Sequence, residues 1–265
     1  MTPDLPEPAL TCTMEHRVHV RNDVILGRQP VVEALRGGRP VNRILLARDV
    51  GRHSTIAEIL HLSRERRVPV EYVPREAVRH AAGSGAHQGV VAYAAAREYV
   101  TLQELADAAG RAPDPPLYVV LDGIEDPQNL GAILRSAEAT GVHGAVVRTR
   151  RAAGLTSAVS RASAGALEYV PVARVSNIAT ALEFLKSQGT GVVGIDASGD
   201  TRYTDVDMGI ATAIVVGSEG KGISALVRRK CDVLASIPMR GRVGSLNASV
   251  AAALVMYEAF RQRGW

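Results

Sequence analysis

Ala211-Thr212-Ala213-Ile214-Val215-Val216, running directly into Gly217-Ser218-Glu219-Gly220-Lys221-Gly222, is the stretch whose reading decides the fold. An apolar run this short and this continuous reads as a strand buried on both faces, the kind found in a parallel sheet covered by helices. Four more runs share the texture: Leu117 to Leu121, Ala145 to Val147, Gly191 to Ile195 and Val233 to Ile237. Helical patterns alternate with them at Asn129 to Thr140, Thr156 to Ala164, Ile178 to Gln188, Ser224 to Arg229 and Asn247 to Arg261. This alternation predicts a doubly wound α/β domain over residues 117–265.

Upstream, a second and smaller α/β unit is expected over residues 23–96. Its strands are read at Val41 to Ala47, Val68 to Tyr72 and Gly89 to Ala95, and its helices at Pro30 to Leu35, Thr55 to Glu65 and Arg75 to Ala81. Residues 97–116 contain a short helical pattern and the cluster Pro113-Asp114-Pro115-Pro116, and read as a linker. Residues 1–22, with Pro3, Pro6 and Pro8 and no periodicity, read as a loose arm.

Composition narrows the function. No run approaches the roughly 18 uninterrupted apolar residues of a membrane-spanning helix. The first ten residues carry three prolines and two acids where a secretory signal has a basic end and an apolar core, so a cytoplasmic protein is expected. Cys12 and Cys231 have no companions at metal-ligand spacing, so neither a disulfide framework nor a metal site is expected. Charge is uneven: Arg21 to Ala95 hold 12 arginines and no lysine against 7 acids. Such a block suits a phosphate-bearing partner, because neutralised phosphates release counterions, and it also fits an ordinary solvated surface.

In open parallel sheets ligands bind beyond the carboxyl ends of the strands, so the residues just after each run are the informative ones. Three segments stand out. Asp122 to Arg135 holds Asp126-Pro127, the composition of an N-cap and first helical position, with Asn129 in the first turn and Arg135 almost two turns on. Gly217 to Gly222 is a glycine-rich turn matching neither G-x-G-x-x-G nor G-x-x-x-x-G-K-[ST], which argues against a dinucleotide fingerprint or a P-loop. Ile237-Pro238-Met239 and then Gly244-Ser245-Leu246-Asn247-Ala248-Ser249 lead into the last helix, where Ser245 is the expected N-cap.

Taken together and in this order, the segments resemble the signature of the SpoU (TrmH) family of S-adenosylmethionine-dependent RNA 2′-O-ribose methyltransferases, within the SPOUT superfamily. The resemblance spans roughly residues 22–265 and is greatest to bacterial 23S rRNA guanosine 2′-O-methyltransferases. It implies a C-terminal SPOUT domain with a deep trefoil knot, preceded by a small domain similar to ribosomal protein L30e that recognises RNA. It also implies a homodimer through the knotted domain, with Ala251, Leu254, Val255 and Tyr257 of the last helix as candidate contacts.

By position, the resemblance makes Gly217, Gly222, Ile237, Met239 and Leu246 cofactor-pocket residues, and Asn129, Arg135, Glu219, Ser245 and Asn247 the catalytic neighbourhood. Arg36, Arg39 and Arg43 are the candidate RNA contacts in the basic block. A guanidinium is a poor proton acceptor at neutral pH, so Arg135 is read as a phosphate clamp and electrostatic stabiliser. Glu219 is read as orienting Arg135 or Asn129, or accepting a proton through water. A tRNA or antibiotic-resistance rRNA methyltransferase, a nucleotide-dependent enzyme on the same sheet, and a non-catalytic RNA-binding protein are the other readings the residues allow.

Overall fold

The computed structural model describes residues 22–83, 85–242 and 244–264. The expected arm thus lies outside the described residues, except for Asn22. That residue opens β1 (Asn22–Leu26), a strand the sequence reading had not picked out.

The small sheet has the order β1-β4-β2-β3, with β2 (Val41–Ala47), β3 (Val70–Val73) and β4 (Val90–Ala95). Strands β1 and β2 flank β4 antiparallel, while β2 and β3 run parallel. Helices α1 (Arg28–Arg36) and α2 (Ser54–Glu65) cover one face, burying Val31, Leu35, Ile56 and Ile59 against Ile25, Ile44 and Leu46. Helix α3 (Arg75–Ala82) covers the other through Val78, which packs near Leu26, Leu45 and Val91.

The large sheet is parallel throughout, in the order β7-β6-β5-β10-β8-β11-β9. Its central strands, β5 (Leu117–Asp122) and β10 (Thr212–Gly217), are buried at every position, as their continuous apolar runs require. Side chains alternate between two cores. Val119, Leu121, Ile214 and Val216 meet α5 (Pro127–Ala139) and α9 (Ala248–Gln262), whereas Tyr118, Val120, Ala213 and Val215 meet α4 (Leu102–Gly110) and α7 (Ile178–Ser187). The remaining strands are β6 (Gly144–Arg148), β7 (Val172–Val175), β8 (Gly191–Ile195), the two-residue β9 (Thr201–Arg202) and β11 (Val233–Ser236), with short helices α6 (Ser157–Ala162) and α8 (Ala225–Arg228). Strands β7 and β9 were not anticipated, being only four and two residues long.

The stretch 97–116 departs from its reading as a linker. Thr101 and Glu104 form a capping box that starts α4, and Leu105 and Ala109 are buried in the core of the large sheet. Val100 also bridges to Ala173 beside β7. This segment is part of the large unit, and the apolar spacing Leu102, Leu105, Ala109 was the signal for it.

Among the described residues no helix is long and apolar enough to cross a membrane, and no group of His, Cys, Asp or Glu could hold a metal ion.

Candidate active site

The site forms where β5, β8, β10 and β11 end. Gly217, the last residue of β10, pairs with Asp122 of β5. There is no space for a side chain there: a Cβ on Gly217 would lie 2.0 Å from the carbonyl carbon of Gly222 and 2.2 Å from the nitrogen of Ile223. The chain doubles back at this point, with Ser218 N–H donating to the Gly222 carbonyl at 3.1 Å and Gly222 N–H to the Ser218 carbonyl at 2.8 Å. Gly220 and Gly222 take φ values of 77° and 62°, the left-handed region that glycine enters without penalty. The closed turn presents Glu219 outward at its tip.

Glu219 meets two amides there. Asn129 Nδ2 donates to Glu219 Oε1 at 3.2 Å, Asn247 Nδ2 donates to the same oxygen, and Asn247 Nδ2 lies 2.9 Å from Asn129 Oδ1. Helix starts position both asparagines. Asp126 caps α5, accepting from the backbone N–H groups of Gln128 (3.1 Å) and Asn129 (3.4 Å), with Pro127 first in the helix. Asn247 itself caps α9, its Oδ1 accepting from Ser249 N–H at 2.9 Å and Val250 N–H at 3.3 Å. Ser245 is therefore not the N-cap; the cap lies two residues later, because only Asn247 reaches the free amides of the first turn.

This polar junction separates two cavities. The first, about 540 Å³, is lined by the loops after β8 (Ile195–Ala197), β10 (Val216–Gly222) and β11 (Ile237, Met239 and Gly244–Ala248). It contains Gly217, Gly222, Ile237, Met239, Leu246, Ser245, Glu219 and Asn247 of the expected set. The second, about 490 Å³, holds Asn129 and lies against the β5 and β6 loops. Ser218, Glu219, Lys221 and Gly222 line both. Asp196 and Ala197 in the first cavity and Asp122 and Arg148 in the second were missed, although each sits at or just beyond a strand end.

Arg135 is not brought into this cluster. Six residues along an α-helix carry it roughly 9 Å up the axis and about 120° around from Asn129, and it is exposed and lines neither cavity.

The basic block is also corrected in part. Arg39 is buried: its guanidinium is bonded to Asp23 Oδ2 (2.8 Å), the Ala95 carbonyl (2.8 Å) and Glu168 Oε1 (3.0 Å), so it ties the small sheet to the short helical turn Ala166–Glu168 of the large unit and offers no face to RNA. Arg36 is half exposed and paired with Glu33 and Glu58. Arg43 lies 4.6 Å over the ring of Tyr93, near Glu71, with about half its side chain open.

Two adjoining cavities at the carboxyl ends of a parallel sheet, divided by an amide-held carboxylate, define an α/β enzyme with room for two ligands side by side. The chain belongs to the SpoU rRNA methylase family, whose model matches residues 116–257, while the model for RNA 2′-O ribose methyltransferase substrate binding matches residues 24–100. It is 44% identical over 243 residues to YacO of Bacillus subtilis, a protein named for the TrmH family of tRNA/rRNA methyltransferases, covering 92% of this chain and 97% of that one. A crystal structure of the SpoU methyltransferase AviRb from Streptomyces viridochromogenes, in complex with AdoMet, superposes with a TM-score of 0.76 at 29% identity, covering 91% and 90% of the two chains. The AdoMet-bound rRNA methyltransferase of Sinorhizobium meliloti gives 0.73 at 25% identity, covering 91% and 87%. The chain is thus a SpoU/TrmH family RNA methyltransferase, and the family depends on S-adenosylmethionine.

The first cavity fits that cofactor. Its size falls in the range of small-molecule sites, roughly 300–1,000 Å³. Its walls mix apolar side chains (Ile195, Val216, Ile237, Leu246) with glycine backbone, and no phosphate-binding fingerprint lies in its loops.

Proposed function

We propose that the chain transfers a methyl group from S-adenosylmethionine to the ribose 2′-oxygen of a guanosine in 23S rRNA, as a cytoplasmic homodimer. The observation that carries this reading is the Asn129–Glu219–Asn247 junction between the two cavities, which supplies a fixed carboxylate where a donor on one side and an acceptor on the other would meet.

The cofactor would be held by Gly217, Gly222, Ile237, Met239 and Leu246, and it supplies an electrophilic methyl on a positively charged sulfur. The chain's own residues do the rest. Much of the attainable rate gain comes from fixing the hydroxyl in line with the methyl carbon. Asn129 and Asn247 hold Glu219 through one carboxylate oxygen, so it keeps one orientation and can take the 2′-hydroxyl proton directly or through water. The Ser245 hydroxyl borders the first cavity as a further donor or acceptor.

Arg135 keeps its role as phosphate clamp and stabiliser of the developing alkoxide, delivered by a second copy of the chain. Helix α9 offers the face for such a pair: Val250, Leu254 and Tyr257 are exposed large apolar residues on it, beside partly exposed Ala251. Val255 does not belong to that face, being fully buried in the core. The knot belongs to the same reading, in keeping with a sheet order that places β10 between β5 and β8 and β11 between β8 and β9. The small domain with Arg43 would deliver the RNA.

The test is mass-spectrometric mapping of ribose methylation in rRNA and tRNA from cells lacking the protein. Loss of one 2′-O-methylguanosine in 23S rRNA is the expected result. Loss confined to a tRNA, the other substrate class in the relatives' names, would replace the rRNA reading.

A further inference from the structure

The second cavity lies across the junction from the first, on the side where the acceptor would enter. Its composition is specific. Arg148, at the end of β6, and Arg151, three residues on, face it with Lys221 of the β10 turn, so three cations come from two different loops. Of the four acids that line it, Glu125 is exposed and the other three are engaged by the fold. Asp122 is buried, accepts from Ser224 N–H at 2.8 Å and faces Arg148 at 3.6 Å. Asp126 caps α5, and Glu219 is held by the two amides. The cations remain open to a ligand: Arg151 and Lys221 are exposed, as are Glu125, Asp126 and Glu219, and Arg148 keeps about a third of its side chain open while Asp122 anchors it. Arg151 also takes a φ of 56°, uncommon for a residue with a side chain.

We propose that this second cavity is the seat of the acceptor nucleotide, and that Arg148, Arg151 and Lys221 grip the phosphates flanking its ribose. The inference rests on the reading of the chain as an RNA ribose methyltransferase and adds to it a binding site on the strand-end side opposite the cofactor. Guanidinium groups suit the task because their planar forks match phosphate oxygens in pairs. With the phosphates held there, the ribose between them lies against Glu219 and Asn129, which line the same cavity.

The experiment uses the full chain and, as substrate, total rRNA and tRNA isolated from cells lacking the protein. Arg148→Ala/Arg151→Ala is expected to raise the KM for RNA about tenfold or more, to leave kcat at saturating RNA within about threefold, and to reduce the slope of log affinity against log salt by about one to two. Its affinity for S-adenosylhomocysteine, measured by calorimetry, should stay within about twofold, since neither arginine lines the first cavity. Because Arg148 neighbours the buried Asp122, Arg151→Gln alone is the second variant, expected to show the same pattern at smaller size. An unchanged KM and salt slope in folded variants overturns the proposal while the methyltransferase reading stands. Failure of the unaltered protein to bind S-adenosylhomocysteine overturns that reading, and this one with it.

Discussion

Asn247 Nδ2 lies 2.9 Å from Asn129 Oδ1, so the N-cap of α9 is hydrogen-bonded to the first turn of α5 across 118 residues of chain. Both amides also converge on Glu219 Oε1. A carboxylate held this way has its orientation set by two helix starts, and such a preorganised group is the kind that lowers a barrier without rearranging during the reaction.

Asn247 has two tasks, and they separate. Its Oδ1 caps α9, while its Nδ2 serves Glu219 and Asn129. Asn247→Ser keeps a capping oxygen and discards the amide donor, so stability should change by less than about 1 kcal/mol. Single-turnover methylation should fall at least tenfold to a hundredfold, a typical order for loss of a donor at a reacting centre. An Asn247→Ser enzyme of normal rate would remove the junction from the mechanism.

Gly217 is constrained by space. The nearest atoms to a Cβ there are backbone, at 2.0 Å and 2.2 Å, so no side-chain rotation can relieve the clash. Gly217→Ala should cost about 1–3 kcal/mol and displace the turn that carries Glu219. Calorimetry with S-adenosylhomocysteine should show weakened binding, and unchanged affinity would mean that the turn adapts.

Arg39 predicts the opposite pattern to a nucleic-acid contact. Arg39→Ala would leave Glu168, whose side chain is 1% exposed, without its main cation, since Arg97 stands 4.0 Å from the other oxygen. Breaking a buried pair in this way costs about 3–5 kcal/mol. The thermal midpoint should drop while the salt slope of RNA binding stays unchanged. Arg39→Met/Glu168→Gln, which removes both charges, should recover much of the loss. A fall in the salt slope without a fall in stability would return Arg39 to the RNA surface.

How much of this was readable beforehand depended on whether the signal was local. The buried strands were plain because a parallel sheet covered on both faces demands a nearly continuous apolar run, and Leu117 to Leu121 and Ala213 to Val216 supply it. Asp126 as a cap followed from its neighbour Pro127. The convergence of Asn129, Glu219 and Asn247 was legible only through the family resemblance, since nothing local joins residues 90 and 118 positions apart. Arg39 was misread because an arginine in a basic stretch looks the same whether it meets water or Glu168, 129 residues away. Ser245 misled because Ser and Asn cap equally well, and only the backbone path decides which one reaches the amides.

Cys231 should be a slow thiol. Burial, with Asp232 nearby, pushes its pKa up to about 11 from 9.0, and Gly194 and Leu234 crowd the same space. A two-unit rise leaves about a hundredfold less thiolate near pH 8, and the thiolate is the reactive form. In a Cys12→Ser variant, alkylation at pH 8 should therefore run about a hundredfold slower in the folded protein than in urea. Equal rates would show that Cys231 is open to solvent in the native state.

His143 gives the fold a pH dependence of predictable sign. Its Nδ1 accepts from Leu117 N–H at 3.1 Å, at the start of β5, and only the neutral ring can accept there. Burial, and after it the positive Arg263, lowers its pKa below the ordinary 6.5. The unfolded chain therefore takes up this proton first as pH falls. The group's contribution to stability is present above about pH 6.5 and declines as pH drops from there through the lowered value. His143→Asn retains an acceptor oxygen in place of Nδ1 and cannot titrate. Urea midpoints measured between pH 5.5 and 7.5 should fall less steeply for His143→Asn than for the unaltered protein. Parallel curves would place the acid sensitivity in the carboxylates instead.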